Sequence, residues 1–357
     1  MMLEQPVLRA FRDPQSIRAM KLADWDMLIR QARRSNLLAS LHAVLEENNL
    51  LDHVPPQPRE HLEWSWIGAE RHTQAVHWEV RHIVNALTDL DIPVILLKGA
   101  AYVFAKLPSA RGRIFSDIDI LVPETSIGAA EASLMLHGWA SMHNDAYDQR
   151  YYRTWMHELP PMQHVKRQTV IDVHHAIVPK TAPVHPDSAL LLEAARPLEG
   201  APTLSVLAPH DMVLHSAVHL FNDGEFDNGL RDLVDLHRLL THFGHSTDFW
   251  PGLAARAVRL QLTRPLFYAL RYTGRLLDTP IPDAAMTAAE AGRPERATLA
   301  LMDRLFMRAL APDHASCSDA FTAPAKELLY VRANWLRMPP LLLARHLFHK
   351  AFISPRE

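Results

Sequence analysis

The sequence has almost no cysteine, no long apolar run and little net charge. Cys317 is the single cysteine among 357 residues, so an intramolecular disulfide is impossible and a cysteine-based zinc site is not indicated. No stretch approaches the roughly 20 apolar residues of a membrane-spanning helix. The formal net charge of −3 gives no global positive field typical of nucleic-acid binding. We therefore expect a soluble, unprocessed, cytoplasmic protein without membrane contact.

Helical patterns dominate both ends of the chain, and 48% apolar residues suffice for a full core. In the first 90 residues, Trp25, Leu28 and Ile29 recur at the spacing of one helix face. Helical spacing returns beyond Pro186. These patterns predict an N-terminal helical region over residues 1–90 and a C-terminal helical domain over residues 186–357.

Between these regions, residues 91–180 change to a pattern of short strands and helices. The predicted elements are a strand at 94–97, a helix at 100–107, a strand at 118–122, a helix at 126–136 and a hairpin formed by 161–165 and 169–178. The hairpin adds to the earlier strands to give a mixed sheet of three or more strands, and the predicted fold class is α+β. The predicted fold is a small mixed β-sheet core flanked by two helical regions.

The tripeptide that begins at Asp117 carries two carboxylates on one face of a predicted strand, because residues i and i+2 point the same way. Asp172, in a later strand, is placed by alternation on one face with His174 and could add a third carboxylate. We expect the carboxylates of Asp117, Asp119 and Asp172 to lie within about 4 to 7 Å of each other and to share Mg²⁺ ions. A solvated or capping role for the acidic pair is the alternative. Because like charges repel, we expect that loss of Asp119 leaves the metal-free fold intact or slightly more stable.

Positive groups and a glycine lie close to this acidic pair in sequence. Lys98 and Gly99 form a strand-to-helix turn in which glycine would let the backbone approach a phosphate, while Lys98 could contact the phosphate or be a solvated cap. Arg111 and Arg113 could neutralise a triphosphate or pair with the two aspartates. We expect the C-terminal helices to close over the cleft with Arg231 reaching inward, although a salt bridge within its own helix is the default for Arg231.

Two segments resemble a known family. KGAAYVFAKLPSARGRIFSDIDILV and HELPPMQHVKRQTVIDVHHAI are similar to an uncharacterised bacterial family of nucleotidyltransferases in the DNA polymerase β-like superfamily. The resemblance covers about residues 92–178 closely and the helical flanks more loosely. It implies a polymerase β-like core that transfers a nucleoside monophosphate from an NTP, such as ATP, to an acceptor and releases pyrophosphate. Mg²⁺, or alternatively Mn²⁺, would be the metal.

The resemblance also implies roles for individual residues. Asp117 and Asp119 would ligate the metals, and Asp172 would hold the catalytic metal and help to deprotonate the acceptor. Gly99 would support the triphosphate. Ala100 stands where many superfamily members have a phosphate-binding serine, so a catalytically idle protein that binds nucleotide or regulates a partner is the alternative function. A protein, an RNA and a small molecule all remain open as the acceptor, and the oligomeric state is also open.

Three further features have both a structural and a functional interpretation. His215 and His219 have the i, i+4 spacing of metal ligands, which would suit a histidine-based metallohydrolase, although no glutamate follows His215 as a metalloprotease motif requires. An aromatic group could pack in the core or stack on a base. A basic C-terminal helix could be a solvated face or bind the acceptor. The aromatic group consists of Tyr147, Tyr151, Tyr152 and Trp155. The basic residues of the helix are Arg332, Arg337, Arg345, His346, His349 and Lys350.

Overall fold

The structure is a computed structural model that describes residues 4–143 and 145–345. Its first part is helical, as predicted. The helices are α1 (Pro6–Arg12), α2 (Leu22–Arg34), α3 (Leu38–Glu47) and α4 (Pro56–Leu87). Trp25, Leu28 and Ile29 form the buried face of α2, which is the stripe that the helical spacing indicated. A proline at the first position of α4 starts this helix without the loss of an internal hydrogen bond.

A seven-stranded mixed sheet follows, with the strand order β3-β4-β5-β2-β1-β7-β6. Its strands are β1 (Val94–Leu96), β2 (Asp117–Leu121), β3 (Trp139–Ser141), β4 (Met162–His164), β5 (Val170–His174), β6 (Arg196–Leu198) and β7 (Ala201–Val206). Strand β1 pairs antiparallel with β2 and parallel with β7, so it lies inside the sheet. Together with the flanking helices, this mixed sheet places the protein in the α+β class.

The pairing of β2 with β5 sets the geometry of the acidic residues. The two strands are parallel, and their register puts Asp119 opposite Asp172 and Asp117 opposite Val170. Side chains opposite each other on neighbouring strands share a face of the sheet. The register therefore brings Asp172 next to the acidic pair of β2.

Helices between and after the strands complete the molecule. They are α5 (Lys98–Phe104), α6 (Ile127–Leu136), α7 (Ala146–Trp155), α8 (Ser188–Ala194), α9 (Pro209–Asn222), α10 (Gly229–Phe243), α11 (Phe249–Arg259), α12 (Thr263–Leu277), α13 (Asp283–Ala289), α14 (Arg296–Ala309) and α15 (Thr322–Arg337). Helix α15 ends before Pro339, and His346, His349 and Lys350 of the predicted basic helix lie outside the described residues. No helix in the described ranges is both long and apolar enough to cross a membrane.

Four elements were not expected from the sequence. They are β3, α7, β6 and β7, and the last two lie within the region 186–357 that was predicted to be helical. Strand β6 has only three residues and contains Pro197, and the alternation in β7 is limited to residues 203–206, so neither run stands out from the helical pattern around it. The C-terminal region therefore contributes two strands to the same sheet as the acidic residues.

Candidate active site

The carboxylates of Asp117, Asp119 and Asp172 converge at one place on the sheet. One oxygen of each carboxylate lies within 4.8 Å of the others. Asp117 and Asp119 reach this place because they are two residues apart on β2, and Asp172 does so because β5 pairs with β2 in register. The sequence-based expectation about their mutual distance is thus met by the geometry.

Asp119 is buried but well paired with positive groups. Its side chain is 5% exposed, and its Oδ1 accepts hydrogen bonds from Lys98 Nζ at 2.9 Å and His174 Nε2 at 3.0 Å. Burial alone would raise the pKa of this carboxyl, but the neighbouring Lys98 and His174 hold it well below its usual value. Asp119 is therefore ionised in the folded protein.

In contrast to Asp119, Asp172 lies where its surroundings disfavour the ionised form of its carboxyl group. Burial, followed by repulsion from Asp119 and Glu158, raises its pKa to about 8. Its Oδ1 is buried and has no hydrogen-bond partner among the residues that the structure describes. Removal of Asp119 would relieve its repulsion of Asp172 but would leave the ammonium of Lys98 buried without its closest partner, so the expected effect on stability stays a prediction.

These features suit a divalent cation. Three carboxylates offer only oxygen ligands, which hard ions such as Mg²⁺ prefer. The unpartnered Oδ1 of Asp172 is a buried acceptor that a cation would satisfy. The residues present therefore fit a hard divalent metal at this place.

A cleft of about 240 Å³ opens beside the acidic pair. Its walls come from the strand-to-helix turn at Lys98, from the segment before β2, and from α9 and α10 with the loop between them. The lining residues are Lys98, Gly99, Arg113, Phe115, Ser116, Asp117, Asp119, His219, Glu225, Asp227, Asn228, Arg231 and Asp232. Helices of the C-terminal region thus form one wall of the cleft, and Arg231 lies on it as expected.

The turn at Lys98 and Gly99 is tightly packed. Lys98 has a φ of 43°, in the left-handed region that non-glycine residues rarely adopt. A Cβ on Gly99 would lie 2.4 Å from Arg113 Nη1 and 2.6 Å from Phe115 Cδ1. Glycine is therefore needed here so that Arg113 and Phe115 can pack against the turn, in addition to any role in approaching a phosphate.

The three arginines near the site have different partners. Arg113 is 6% exposed, and its Nε donates to Asp235 Oδ2 of α10 at 2.6 Å. Among the residues that the structure describes, Arg113 forms no ion pair with Asp117 or Asp119, because Asp235 of α10 is its carboxylate partner instead. Arg111 pairs with Glu46 and Glu47 of α3, away from the cleft lining.

Arg231 is held at the cleft by two contacts. It donates to Asp232 of its own helix at 2.8 Å and to the carbonyl oxygen of Ile114 at 3.2 Å. The salt bridge within α10 that the sequence favoured is therefore present, and the same side chain also lines the cleft.

The histidine pair on α9 does not form a metal site with the groups that the structure describes. His215 is buried, and burial lowers its pKa well below the usual value, so its ring is neutral. His219 lies 3.8 Å from Asp223 and 3.9 Å from Asp232. Neither histidine belongs to a group of three metal-ligating side chains within the described ranges.

The aromatic group lies on α7, and its rings contact one another. The ring centroids of Tyr151 and Trp155 are 5.9 Å apart, and those of Tyr151 and Tyr152 are 5.5 Å apart, in edge-on contacts. All four aromatic side chains are half-buried, and none lines the cleft. Packing is therefore the interpretation that the geometry favours over stacking on a base in this cleft.

Two polar residues behind the acidic group were missed in the sequence. Glu158 lies 3.2 Å from His174 Nδ1, and His157 lies beside the same imidazole with ring centroids 5.3 Å apart. An isolated β-bridge joins Glu158 to His174. The segment before β4 has no strand pattern, so only the tertiary pairing reveals that it runs along β5.

Similarity to known proteins is consistent with this site. A family described as an uncharacterised nucleotidyltransferase matches residues 21–278, which is well over half of the chain and includes both β2 and β5. No curated protein matches the chain significantly.

Proposed function

Because the chain belongs to the uncharacterised nucleotidyltransferase family, we propose that it transfers a nucleoside monophosphate from an NTP to an acceptor and releases pyrophosphate. The observation that carries this proposal is the convergence of three carboxylates from β2 and β5 beside a cleft whose lining also includes Lys98 and Arg231. We further propose that β1, α5, β2 and β5 form a polymerase β-like core, and that residues 1–90 and 186–357 are the flanking regions that surround it.

Asp117, Asp119 and Asp172 would hold Mg²⁺ or Mn²⁺, which when bound neutralises phosphate charge and orients the reacting groups. Lys98 and Arg231 line the same cleft and would bind the phosphates of the nucleotide. Each of these cations is now paired with an aspartate, so phosphate oxygens would replace or share those partners.

Asp172 is suited to accept the proton of the acceptor. With a pKa of about 8 in the metal-free protein this carboxyl is mostly protonated at neutral pH, and a bound divalent cation would lower the pKa and leave Asp172 ionised and able to accept a proton. In the reaction, a bond forms between the acceptor oxygen and the α-phosphorus while the bond to the bridging oxygen of the β-phosphate breaks. The acceptor proton passes to Asp172, and pyrophosphate leaves.

The idle alternative rests on Ala100 and on the pairing of Lys98 with Asp119. Ala100 is 1% exposed and does not line the cleft, so a hydroxyl at this position would not point into the nucleotide space. The Lys98 ammonium, however, bonds Oδ1 of Asp119, which is one of the two oxygens that a metal could use. An idle protein would therefore keep this ion pair when Mg²⁺ and NTP are added.

The proposed activity is tested by incubating the protein with each α-phosphate-labelled NTP, Mg²⁺ and a cell extract. We expect a labelled product with the wild type and none with Asp117→Asn, whose side chain is only half-buried and lies at the end of a strand. Glu124→Gln is the matched control, because this carboxylate follows β2 but pairs with Lys180 outside the cleft. A product that Asp117→Asn also makes would refute the assignment of the acidic group.

A further inference from the structure

A second group of metal-ligating side chains lies behind Asp119. It consists of His157, Glu158 and His174, and we call it the histidine–glutamate cluster. One ring nitrogen of each histidine and one carboxylate oxygen of Glu158 lie within 4.8 Å of one another. His174 is 3% exposed and the side chain of Glu158 is 17% exposed. The cluster is therefore largely closed to solvent.

The backbone holds these three side chains in place. Leu159 donates its amide to the carbonyl of Val173, and His175 donates its amide to the carbonyl of His157, both at 2.9 Å. The β-bridge between Glu158 and His174 lies between these two hydrogen bonds. The three ligands are thus positioned by sheet-like pairing rather than by a free loop, which favours a preorganised site.

Of the three donor groups, His157 has a nitrogen that is free to bind a metal. Nδ1 of His157 is buried and has no hydrogen-bond partner in the described part of the chain, and burial keeps this imidazole neutral by lowering its pKa. Nδ1 of His174 lies 3.2 Å from Glu158, whereas its Nε2 contacts Asp119 at 3.0 Å. A histidine whose second nitrogen is held by a carboxylate is a common arrangement in metal sites.

We propose that the histidine–glutamate cluster binds a transition-metal ion of the Zn²⁺ type, separate from the carboxylate site. Two imidazole nitrogens and one carboxylate oxygen are the donors that Zn²⁺ accepts in three-ligand protein sites, whereas Mg²⁺ prefers oxygen ligands alone. The ion fixes the ring of His174 and, through its Nε2, the carboxylate of Asp119. It acts as a positioning group for the acidic site and takes no part in bond making.

The alternative occupant is a proton. Burial lowers the pKa of His174, but Glu158 and Asp119 together raise it above its usual value, so an imidazolium between two carboxylates is the other state open to the cluster. It would leave Nδ1 of His157 unpartnered. Binding of a metal ion distinguishes the two, because it uses all three side chains.

Co²⁺ is the probe, because it replaces Zn²⁺ and its visible absorption reports nitrogen-containing tetrahedral or five-coordinate sites. The full chain is stripped with a chelator, titrated with Co²⁺ and then with Zn²⁺, and the bound metal is measured by elemental analysis. We expect one tightly bound ion per chain. We also expect His157→Asn and Glu158→Gln each to weaken its binding at least about 10-fold.

Two controls separate this site from its surroundings. His210→Asn changes another half-buried histidine, which bonds the carbonyl of Phe249, and should leave Co²⁺ binding unchanged. Asp117→Asn removes a ligand of the carboxylate site and should also leave the Co²⁺ spectrum unchanged, so this test is independent of nucleotide transfer. Absence of tight Co²⁺ and Zn²⁺ binding to the wild type overturns the proposal, as does full binding by folded His157→Asn and Glu158→Gln.

Discussion

At the level of single residues, the pKa values of Asp119 and Asp172 are shifted in opposite directions. Asp119 is stabilised as an anion by Lys98 and His174, whereas Asp172, at the paired position on β5, has a pKa raised to about 8. Both residues were identified from the sequence, because alternation along strands predicts shared faces. Their different states could not be predicted, because Lys98 and Glu158 reach the site only through the tertiary fold.

The raised pKa of Asp172 predicts how stability depends on pH. The folded carboxyl keeps its proton up to about pH 8, whereas an unfolded aspartate loses it near about 3.9. The folded state therefore binds more protons between these values, and the metal-free protein loses stability as pH rises, by at most about 1.4 kcal/mol per pH unit. We expect Asp172→Asn to show a shallower decline between pH 5 and 8, measured by urea denaturation. Equal slopes for both proteins would contradict the raised pKa.

Replacement of Lys98 tests whether its ammonium group competes with a metal ion for the carboxylate of Asp119. Lys98→Met keeps the apolar stem but leaves Asp119 buried with His174 alone, so we expect a loss of about 3 kcal/mol in the metal-free protein. Free Mg²⁺ should bind Lys98→Met about 10-fold more tightly than the wild type, a gain of about 1.4 kcal/mol. Magnesium titrations followed by thermal melting measure both effects.

Lys180→Met is the matched control for Lys98→Met. Its partner Glu124 is 62% exposed, so the loss of this surface pair should change stability by less than about 1 kcal/mol. Magnesium binding that is weaker in Lys98→Met than in the wild type would show that Lys98 does not compete with the metal.

At the level of elements, predictability followed the strength of the local pattern. Strands β1, β2 and β5 were predicted because each is an apolar or alternating run between turn residues. Strands β6 and β7 were missed because β6 is only three residues long, because the alternation in β7 covers only residues 203–206, and because β7 is defined by its pairing with β1. The sequence predicted that C-terminal helices form a wall of the cleft. It did not predict that α10 is held there by the ion pair between Asp235 and Arg113.

That attachment gives a prediction about α10. Asp235→Asn would leave the guanidinium of Arg113 buried with only Asp232, at 3.7 Å, so we expect a loss of about 3 kcal/mol in the free energy of unfolding. Since α10 carries Arg231, the same change should weaken Mg²⁺-dependent nucleotide binding. Urea denaturation and a nucleotide titration measure the two effects. The exposed pair of Arg30 with Asp26 supplies the control, because Asp26→Asn should cost less than about 1 kcal/mol.

At the level of the whole molecule, the two helical regions and the sheet share one core. The hydrophobic cluster extends from Val7 to Leu329, and α1 packs against α12. Arg12 Nε also donates to Asp278 Oδ2 at 2.8 Å, which links the two regions at the surface. The sequence indicated three consecutive regions, but it could not show that the first and last regions contact each other, because such contacts leave no local periodicity.

A shared core predicts that residues 91–180 do not fold alone. Without β7, the inner strand β1 would expose a row of unpaired backbone groups, and its buried side chains would lose their cover. We expect the fragment 91–180 to lack dispersed amide resonances in an NMR spectrum, whereas the full chain shows them. A well-dispersed spectrum of the fragment would establish the central region as an independent domain.

The same shared core predicts one cooperative unfolding transition that responds as a whole to ligand. The cleft joins the β2 carboxylates to α9 and α10, so Mg²⁺ and ATP bound there should stabilise the entire molecule. At 100 times the dissociation constant the gain is about 2.7 kcal/mol, which for a chain of this length is a rise of roughly 4 °C in melting temperature. Calorimetry with and without Mg²⁺-ATP measures the rise, and Asp117→Asn should abolish it. Two separate transitions, of which ligand moves only one, would show that the helical regions unfold independently of the acidic site.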